Sequence, residues 1–480
     1  MMRPQNVVVG WVIPLVLSIA LCLLILLAPK DLGAWRGGPA VPAVEDYLEK
    51  LRTVHDLARE RHVSAPQTEA LFEDSLQGML QGLDPYSAYF NAKDFKEFWG
   101  DTEGEFGGLG IQIEMDAEDR YLTVVTPLED TPAYRQGILP GDRILEIEGE
   151  PTKGMRLEDA VRKLRGEPGS AVRILLLHRD AEQPAPMSIV RATIHVKSIK
   201  DARVVDPERK IGYIRVTSFQ KSTAEEFRDE LKRLLDGGMK ALVIDLRFNG
   251  GGLLEQAVNL VDLFLDPDPP NDVIVSTRGR RPQEDREYRA TREDTIAKGL
   301  PVAVLTNEGT ASASEIVAGG LRDHRIAALV GMRTYGKGSV QSVIPLADES
   351  AIKLTTAKYY TPSGVCINRE PGKKDYGLEP DVTVEVDSKF QVALIENWSK
   401  RSVIDPTRKA VDPAAPADGA KPFVDVQLEK ALEVLRGRLD GKPWPEPAAA
   451  AVPASATAEP SAAGAPASGT AVPATPEPPK

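Results

Sequence analysis

Cysteine and histidine are scarce in this chain of 480 residues, and their scarcity removes several kinds of chemistry. The two cysteines, Cys22 and Cys366, lie far apart, the first inside an apolar run, so neither a structural disulfide nor a thiolate metal site is expected. The five histidines, His55, His62, His178, His195 and His324, are scattered, with no pair at metal-ligand spacing. No metal and no other cofactor is expected. Positive charge is outnumbered as well: 59 Lys and Arg against 71 Asp and Glu leave a net charge of -12, the wrong sign for a nucleic-acid partner. A nucleotide-binding phosphate loop is also missing. Neither Asp245-Leu246-Arg247-Phe248-Asn249-Gly250-Gly251-Gly252 nor Gly336-Lys337-Gly338-Ser339 fits Gly-x-x-x-x-Gly-Lys-[Ser/Thr]. Large apolar residues all but vanish after Pro443, and residues 443–480 are expected to be a disordered Ala/Pro-rich tail.

One long hydrophobic run is present. Residues 7–28 carry no charge over 22 positions, enough for a helix to cross a bilayer. After a short segment, 1–6, they are expected to form a transmembrane anchor or signal segment, with cleavage near Ala40 to Ala43 as the alternative. The expected location is the cell inner membrane, single-pass, with the bulk of the chain in the periplasm or otherwise outside the cytoplasm. Residues 43–99 read as helices, with Val44, Tyr47, Leu48, Leu51 and Val54 on one face and Leu71, Phe72, Leu76, Met79 and Leu80 on another. Residues 104–196 change to short strands with Gly/Pro turns, interrupted by one helical stretch over 157–164. Residues 197–400 alternate apolar strands with helices, which predicts a largely parallel sheet covered on both faces. Residues 401–442 end the folded part with an amphipathic helix carrying Leu428, Ala431, Leu432 and Leu435.

The candidate chemistry sits where strands give way to helices. Thr310-Ala311-Ser312-Ala313-Ser314-Glu315 follows the strand-like run 302–305 and opens a helical one. Ser312-x-x-Glu315 has the spacing of a capping box, the plainer reading of the pattern. A serine on such a turn can also attack a carbonyl, with the next backbone N–H stabilising the oxyanion. Downstream, Lys337 stands between two glycines in Thr334-Tyr335-Gly336-Lys337-Gly338-Ser339-Val340-Gln341. A lysine buried in an apolar site gives up its proton more readily and can serve a serine as general base. If Lys337 begins an extended segment, Gln341 points to the same face and its amide can orient the lysine nitrogen. His324 is no rival base: twelve residues after Ser312 on the same helix, it would lie roughly 18 Å along the axis. It reads as a charge partner for the helix C-terminus. The three glycines 250–252 let the backbone approach a ligand and offer N–H groups to an anion.

Six motifs in order carry a family resemblance: Leu83-Asp84-Pro85-Tyr86-Ser87, Gly104-Glu105-Phe106-Gly107-Gly108-Leu109-Gly110-Ile111, residues 245–252, 310–315 and 334–341, and Lys358-Tyr359-Tyr360-Thr361-Pro362-Ser363-Gly364. Over residues 43–436 the chain resembles the carboxyl-terminal processing (tail-specific) serine proteases. The resemblance implies an α/β protease core of the ClpP/crotonase-like type, an inserted, mainly β PDZ domain, and helical N- and C-terminal flanks. It implies Ser312 as nucleophile rather than Ser314, Lys337 as general base and Gln341 as its orienting partner. Ala313, with Gly250 or Gly251, would supply the oxyanion hole. Gly108, Leu109, Gly110 and Ile111 resemble the carboxylate-binding loop of a PDZ domain, with the stretch 157–164 as the groove helix. Arg165 would couple that domain to the core. The chain departs from the pattern at Thr310, where many relatives carry serine, at Gly250, where many carry proline, and at Val365-Cys366, where arginine is common.

The resulting expectation is a serine endopeptidase that recognises unstructured C-terminal tails of exported proteins and cleaves them with a Ser-Lys dyad. Its partners are protein or peptide substrates with free, apolar C-termini, and the membrane through the N-terminal segment. A second copy of the chain and an adaptor protein are left open. The alternative is a non-catalytic PDZ scaffold or chaperone on the same fold.

Overall fold

The computed structural model describes residues 44–116, 119–291, 295–402 and 423–445. The expected segments 1–6 and 7–28, and the tail from residue 446, lie outside the described residues. One expectation is overturned. Among the described residues no helix is long and apolar enough to cross a membrane, so the single-pass inner-membrane placement is withdrawn, and the membrane as a partner with it. The segment on which both rested, 7–28, is itself outside the described residues. Helix α1 (Val44–Arg61) is the longest described, and it carries Glu45, Asp46, Glu49, Lys50, Arg52, Asp56 and Arg59, which water must solvate.

The chain divides into two compact units, Met1–Met79 and Leu80–Lys480. In the first, α1 has acidic residues in its first turn and basic ones in its last, each opposing the helix dipole. Its apolar stripe, Val44, Tyr47, Leu48, Leu51 and Val54, is exposed. Helix α2 (Thr68–Gln81) follows and runs into the second unit.

The second unit continues with β1 (Ala88–Phe90) and α3 (Ala92–Glu103). Asn91 caps α3 by accepting the Asp94 N–H, and Gly104, left-handed at φ 78°, ends it. Next come β2 (Glu105–Gly108), β3 (Ile111–Met115), β4 (Leu122–Pro127), the short helix α4 (Pro132–Arg135), β5 (Arg143–Ile147) and β6 (Glu150–Pro151). Helix α5 (Leu157–Leu164), β7 (Ala171–Leu177), β8 (Ala185–Val190) and β9 (Ala192–His195) complete this part. A sheet in the order β3-β4-β5-β7-β8, with β6 on β5, encloses a core of Leu122, Val124, Ile144, Ile147, Val172, Ile174 and Leu176. Strand β7 shows why: Val172, Ile174 and Leu176 point in, while Ala171 and Arg173 point out, the period-two pattern of a half-buried strand. Strands β2 and β9 pair antiparallel, so the chain enters and leaves this small β-domain through one ladder.

The larger domain follows: β10 (Ile199–Asp206), β11 (Ile211–Val216), α6 (Thr223–Asp236), β12 (Ala241–Asp245), α7 (Leu254–Asp262), β13 (Val273–Gly279), β14 (Arg286–Arg289), β15 (Val302–Thr306), α8 (Ala313–Asp323) and β16 (Ala327–Gly331). Then come β17 (Ser339–Pro345), β18 (Ala351–Tyr360), β19 (Val382–Thr383), α9 (Ser388–Ser402) and α10 (Val426–Leu439). The main sheet runs β10-β11-β12-β15-β16-β19 and is parallel throughout except for β10, an antiparallel edge. Its central strands β12, β15 and β16 are buried at every position and almost wholly apolar because both faces are covered. In β12, Leu242 and Ile244 pack with Phe227, Leu231, Leu260 and Val317 of α6, α7 and α8. Ala241 and Val243, on the other face, pack with Ala431, Leu432 and Leu435 of α10. A second, antiparallel sheet in the order β1-β18-β13-β14, with β17 on β18, lies beside it in sequence and brings residues 88–90 to strand β18.

Helix α10 is thus structural: Leu435 is fully buried. Leu435→Ala should destabilise the folded chain by about 2–5 kcal/mol. Urea unfolding followed by circular dichroism measures this, and an unmoved midpoint would show that α10 contributes little to the core.

Candidate active site

Ligands of open parallel sheets bind beyond the carboxyl ends of the strands, and two such ends meet here. Beyond β12 lies the loop 246–253, and beyond β15 the loop 307–312. Thr310, fully buried, joins them: its hydroxyl donates to the Leu246 carbonyl at 2.9 Å and accepts the Asn307 N–H at 3.0 Å. A serine can make both bonds, so the departure at Thr310 costs no contact. Asn249 is buried, and its side chain donates to the Val216 carbonyl at 2.9 Å and accepts the Gly251 N–H at 2.9 Å. Its carbonyl accepts the Ala311 N–H at 3.0 Å and the Ser314 hydroxyl at 2.9 Å. Ser314 is fully buried and engaged in that bond, which separates it from Ser312.

Ser312 is the N-cap of α8 with φ 56° and ψ -119°, a strained conformation for a residue with a side chain. The strain is held by bonds on both backbone groups. The Ser312 carbonyl accepts from the Tyr359 hydroxyl at 3.1 Å and from the Glu315 N–H at 2.8 Å. Its N–H donates to the Glu315 carboxylate at 2.9 Å, so the spacing that suggested a capping box does place Glu315 at the turn. Gly251 makes the close approach possible. At φ 97°, a Cβ there would meet the Ala311 carbonyl at 2.7 Å and the Ser312 Cβ at 2.8 Å. A Cβ on Gly250 meets nothing within 4 Å, which explains why another residue fits there.

Glu315 reaches further than a cap. Fully buried, its Oε1 accepts the Thr334 hydroxyl at 2.5 Å and the Gly336 N–H at 2.8 Å. Its Oε2 accepts the Lys337 N–H at 2.9 Å, the same oxygen that takes the Ser312 N–H. The Ser312 and Lys337 backbone nitrogens therefore lie no farther apart than twice 2.9 Å. Burial raises the Glu315 carboxyl above its ordinary value, opposed by these four donors. The sequence showed this residue only as half of a capping box. Nothing in the spacing from 315 to 337 marks the bridge.

Ser312, Ala313, Gly250, Gly251, Lys337 and Gln341 all line one cavity of about 460 Å³. Lys337 is half-buried, and burial lowers its ammonium below 10.5, aided by the positive charge of Lys353 and opposed by Glu315 and Asp84. Its Nζ lies 4.6 Å from the centroid of the Tyr86 ring. That ring belongs to the turn 83–87, whose Asp84 accepts the Tyr86 and Ser87 N–H groups at 2.8 and 2.9 Å and the Ser87 hydroxyl at 2.7 Å. Burial raises the Asp84 carboxyl, but these bonds and one from Thr355 leave it below its ordinary value. Burial also pushes the Tyr86 hydroxyl up to about 12.

Gln341 does not stand as expected. Strand β17 starts at Ser339, not Lys337, and its register slips between Val340 and Gln341, so the four-residue spacing no longer aligns the two side chains. The Gln341 amide donates to the Ser339 and Thr355 hydroxyls at 2.9 and 3.3 Å, and among the described residues no hydrogen bond joins it to Lys337. Thr355 passes the connection to Asp84 at 3.1 Å. His324 ends α8 and donates its Nε2–H to the Val273 carbonyl at 2.7 Å, away from the cavity.

The loop is further fixed by Arg247, whose buried guanidinium bonds Asp245 at 2.6 Å and Asp425, the N-cap of α10, at 2.7 Å. In the β-domain, Gly108, Leu109 and Gly110 are buried and Ile111 begins the edge strand β3. Gly110 is left-handed at φ 76°, with Thr131 where a Cβ would go. The Leu109 carbonyl accepts the Ala133 N–H and the Gly110 carbonyl accepts the Leu128 N–H, whereas the N–H groups of Leu109 and Gly110 have no acceptor among the described residues. Arg165, just past α5, pairs with Asp101 of α3 at 3.1 Å and lies over the Phe106 ring. Asp101 is itself on the cavity wall.

A serine on a strained helix N-cap and a lysine with a lowered ammonium thus line one cavity, and a small β-domain precedes them in the chain. The signature of Peptidase family S41 matches residues 210–384, and that of the PDZ domain matches 123–177. The chain is 37% identical to the carboxy-terminal-processing protease of Bartonella bacilliformis, over 83% of this chain and 90% of that protein. It is 33% identical to the carboxy-terminal processing protease CtpB of Bacillus subtilis, over 74% of this chain and 73% of that protein. Among solved structures, the photosystem II D1 C-terminal processing protease is 28% identical with a TM-score of 0.41, covering 72% of this chain and 94% of that one. The chain belongs to the carboxy-terminal-processing proteases of peptidase family S41 and is a serine peptidase.

The Glu315 bridge should be measurable. Glu315→Ala leaves three N–H groups and a hydroxyl buried without an acceptor, a loss of at least about 3 kcal/mol. Urea unfolding of the variant should show it, whereas an unchanged midpoint would mean that the turn is held without the carboxylate.

Proposed function

We propose that the chain is an endopeptidase that binds free C-terminal tails through its PDZ domain and cuts peptide bonds with a Ser312–Lys337 dyad. The carrying observation is that one carboxylate oxygen of Glu315 holds the backbone of both residues while both side chains line one cavity. In this reading the neutral Lys337 amine takes the Ser312 hydroxyl proton as Oγ attacks the scissile carbonyl, then gives it to the leaving amine. Water hydrolyses the acyl-enzyme by the same route in reverse. The oxyanion sits on the Ala313 N–H, which has no partner among the described residues, together with a glycine N–H. The Gly250 N–H has no partner among the described residues, whereas Gly251 must first release its bond to Asn249. Gln341 acts through its Oε1, since its amide hydrogens are engaged by Ser339 and Thr355.

The same reading assigns residues 104–196 to the PDZ domain and 197–400 to a protease core of the ClpP/crotonase-like type, with α1, α2 and α3 before them in sequence and α10 after; residues 403–422 of the expected region 401–442 lie outside the described residues. The free N–H groups of Leu109 and Gly110 suit a terminal carboxylate, and the open edge of β3, headed by Ile111, suits a peptide added as a strand. Arg165 couples the two parts through Asp101, which borders both.

Ser312→Ala and Lys337→Ala should each abolish cleavage of an unfolded substrate, without additive losses in the double variant. Ser314→Ala should keep activity if it folds; an inactive Ser314→Ala beside an active Ser312→Ala would reverse the assignment. Because only the neutral amine accepts a proton and Lys337 titrates below 10.5, activity should rise with pH through that lowered value. A flat pH profile of kcat/KM across the alkaline range and below would exclude lysine as the base.

Tail recognition is tested separately. Amidating the substrate C-terminus, or replacing its last apolar residue with Asp, should weaken binding or slow cleavage. Equal rates for amidated and free substrates would remove the PDZ loop from selection.

A further inference from the structure

One charged group on the cavity wall has no partner in the chemistry described so far. Lys353 lies on β18 two residues before Thr355, so the two side chains leave the strand on the same face. Thr355 is tied to Asp84 and Gln341, and Lys353 lines the cavity together with Ser312. Its ammonium rests over a shelf of two rings, 5.3 Å from the centroid of Phe90 and 5.6 Å from that of Phe98. The rings stack on each other at 4.9 Å, so the shelf is rigid and apolar. Among the described residues Lys353 makes neither an ion pair nor a hydrogen bond, although it is half-buried.

The carboxylates within reach of the cavity are already engaged. Asp101 pairs with Arg165 at 3.1 Å. Asp84 accepts the Tyr86 and Ser87 N–H groups and the Ser87 and Thr355 hydroxyls. Glu315 is surrounded by its own four donors. Lys337 must be neutral to act, so Lys353 is left as the cation of the cavity wall, attracted by Asp84 but in direct contact with no carboxylate among the described residues. A half-buried cation without a direct hydrogen-bonding partner is costly, and an anion that arrives with the ligand offsets that cost.

We propose that Lys353 is a subsite for a carboxylate of the substrate, bound inside the cleavage cavity beside Ser312. This rests on the cavity being the peptidase site, and it adds a substrate class: tails with an acidic group near the scissile bond. The carboxylate has two sources, an Asp or Glu side chain or the terminus of a short segment beyond the cut. Lys353→Gln keeps the aliphatic stem on the Phe90–Phe98 shelf and removes only the charge, so it suits the test.

Quenched-fluorescence peptides carrying Glu, Gln or Lys at each position around the cut are compared by kcat/KM with the full chain, Lys353→Gln and Lys353→Glu. The full chain should prefer Glu over Gln at one or two positions by about five- to tenfold. Lys353→Gln should abolish that preference, and Lys353→Glu should turn it toward Lys. A preference that falls only on amidation of peptides ending shortly after the cut, and whose fall disappears in Lys353→Gln, identifies the terminal carboxylate as the source. No Glu preference at any position, or an unchanged one in Lys353→Gln, overturns the subsite. So does a Lys353→Gln variant that alters only the pH profile, since the lysine would then act on Lys337 alone. Turnover by Lys337→Ala with the Glu preference intact would sink the dyad while leaving the subsite standing.

Discussion

The site depends on a carboxylate with no access to water. Glu315 is buried at the start of α8, and a buried carboxylate is tolerable only where donors surround it. It has four, drawn from two stretches of chain: Ser312 on its own turn, and Thr334, Gly336 and Lys337 on the segment leading into β17. All four are uncharged groups on backbone or hydroxyl, so the carboxylate fixes positions without pairing with the lysine ammonium. Moving either stretch would strand a charge in the interior. The strained φ of Ser312 is therefore over-determined by bonds on both its N–H and its carbonyl, the condition under which such strain persists.

A second arrangement of the same kind lies across the cavity. Asp84 collects three donors within its own turn and a fourth from Thr355 on β18, and this brings the Tyr86 ring beneath Lys337. Residues 83–87 lie far ahead of the main sheet in sequence, yet β1 adds itself to β18 in register, Ala88 opposite Lys353. The cavity is thus closed by elements from three places in the chain. Helix α3 supplies Phe98, Asp101 and Thr102, the sheet-end loops supply Ser312 and the glycines, and β17 and β18 supply Gln341 and Lys353. Because α3 also leads into the ladder of β2 and β9, the wall of the cavity is continuous with the entrance to the β-domain.

Much of this was legible in the sequence, and the limits have physical causes. The central strands of the main sheet are runs of apolar residues bounded by turn residues, and 241–245 and 302–306 fell where the pattern placed them, to within a residue. Ser312, Lys337 and the glycines stood out because glycine and strand-to-helix turns punctuate the chain strongly. What failed was inference across a strand start. The reading of Gln341 assumed an extended run from Lys337, and a later start with a bulge at 340–341 breaks that period. What stayed invisible was long-range: Glu315 to Lys337, Asp84 to Thr355 and Arg247 to Asp425 join residues whose separation carries no periodic signal. The apolar run at 7–28 shows the opposite limit, since length and lack of charge license a span without placing one.

These networks also account for the state of Lys337. A lysine near two carboxylates would ordinarily form an ion pair and keep its proton well above neutrality. Here the attraction of Glu315 and Asp84 is present but loses to burial, with Lys353 adding repulsion. The reason lies in how each carboxylate is used. Hydrogen bonds from neutral donors occupy the oxygens of Glu315 and Asp84, so neither offers the ammonium a short contact, and Nζ lies instead 4.6 Å from the centre of the Tyr86 ring. A ring face attracts a cation more weakly than a carboxylate does and also excludes the water that would solvate it. The two acids thereby hold the lysine's backbone and its floor in place while leaving its charge poorly compensated, which is the condition a lysine base requires.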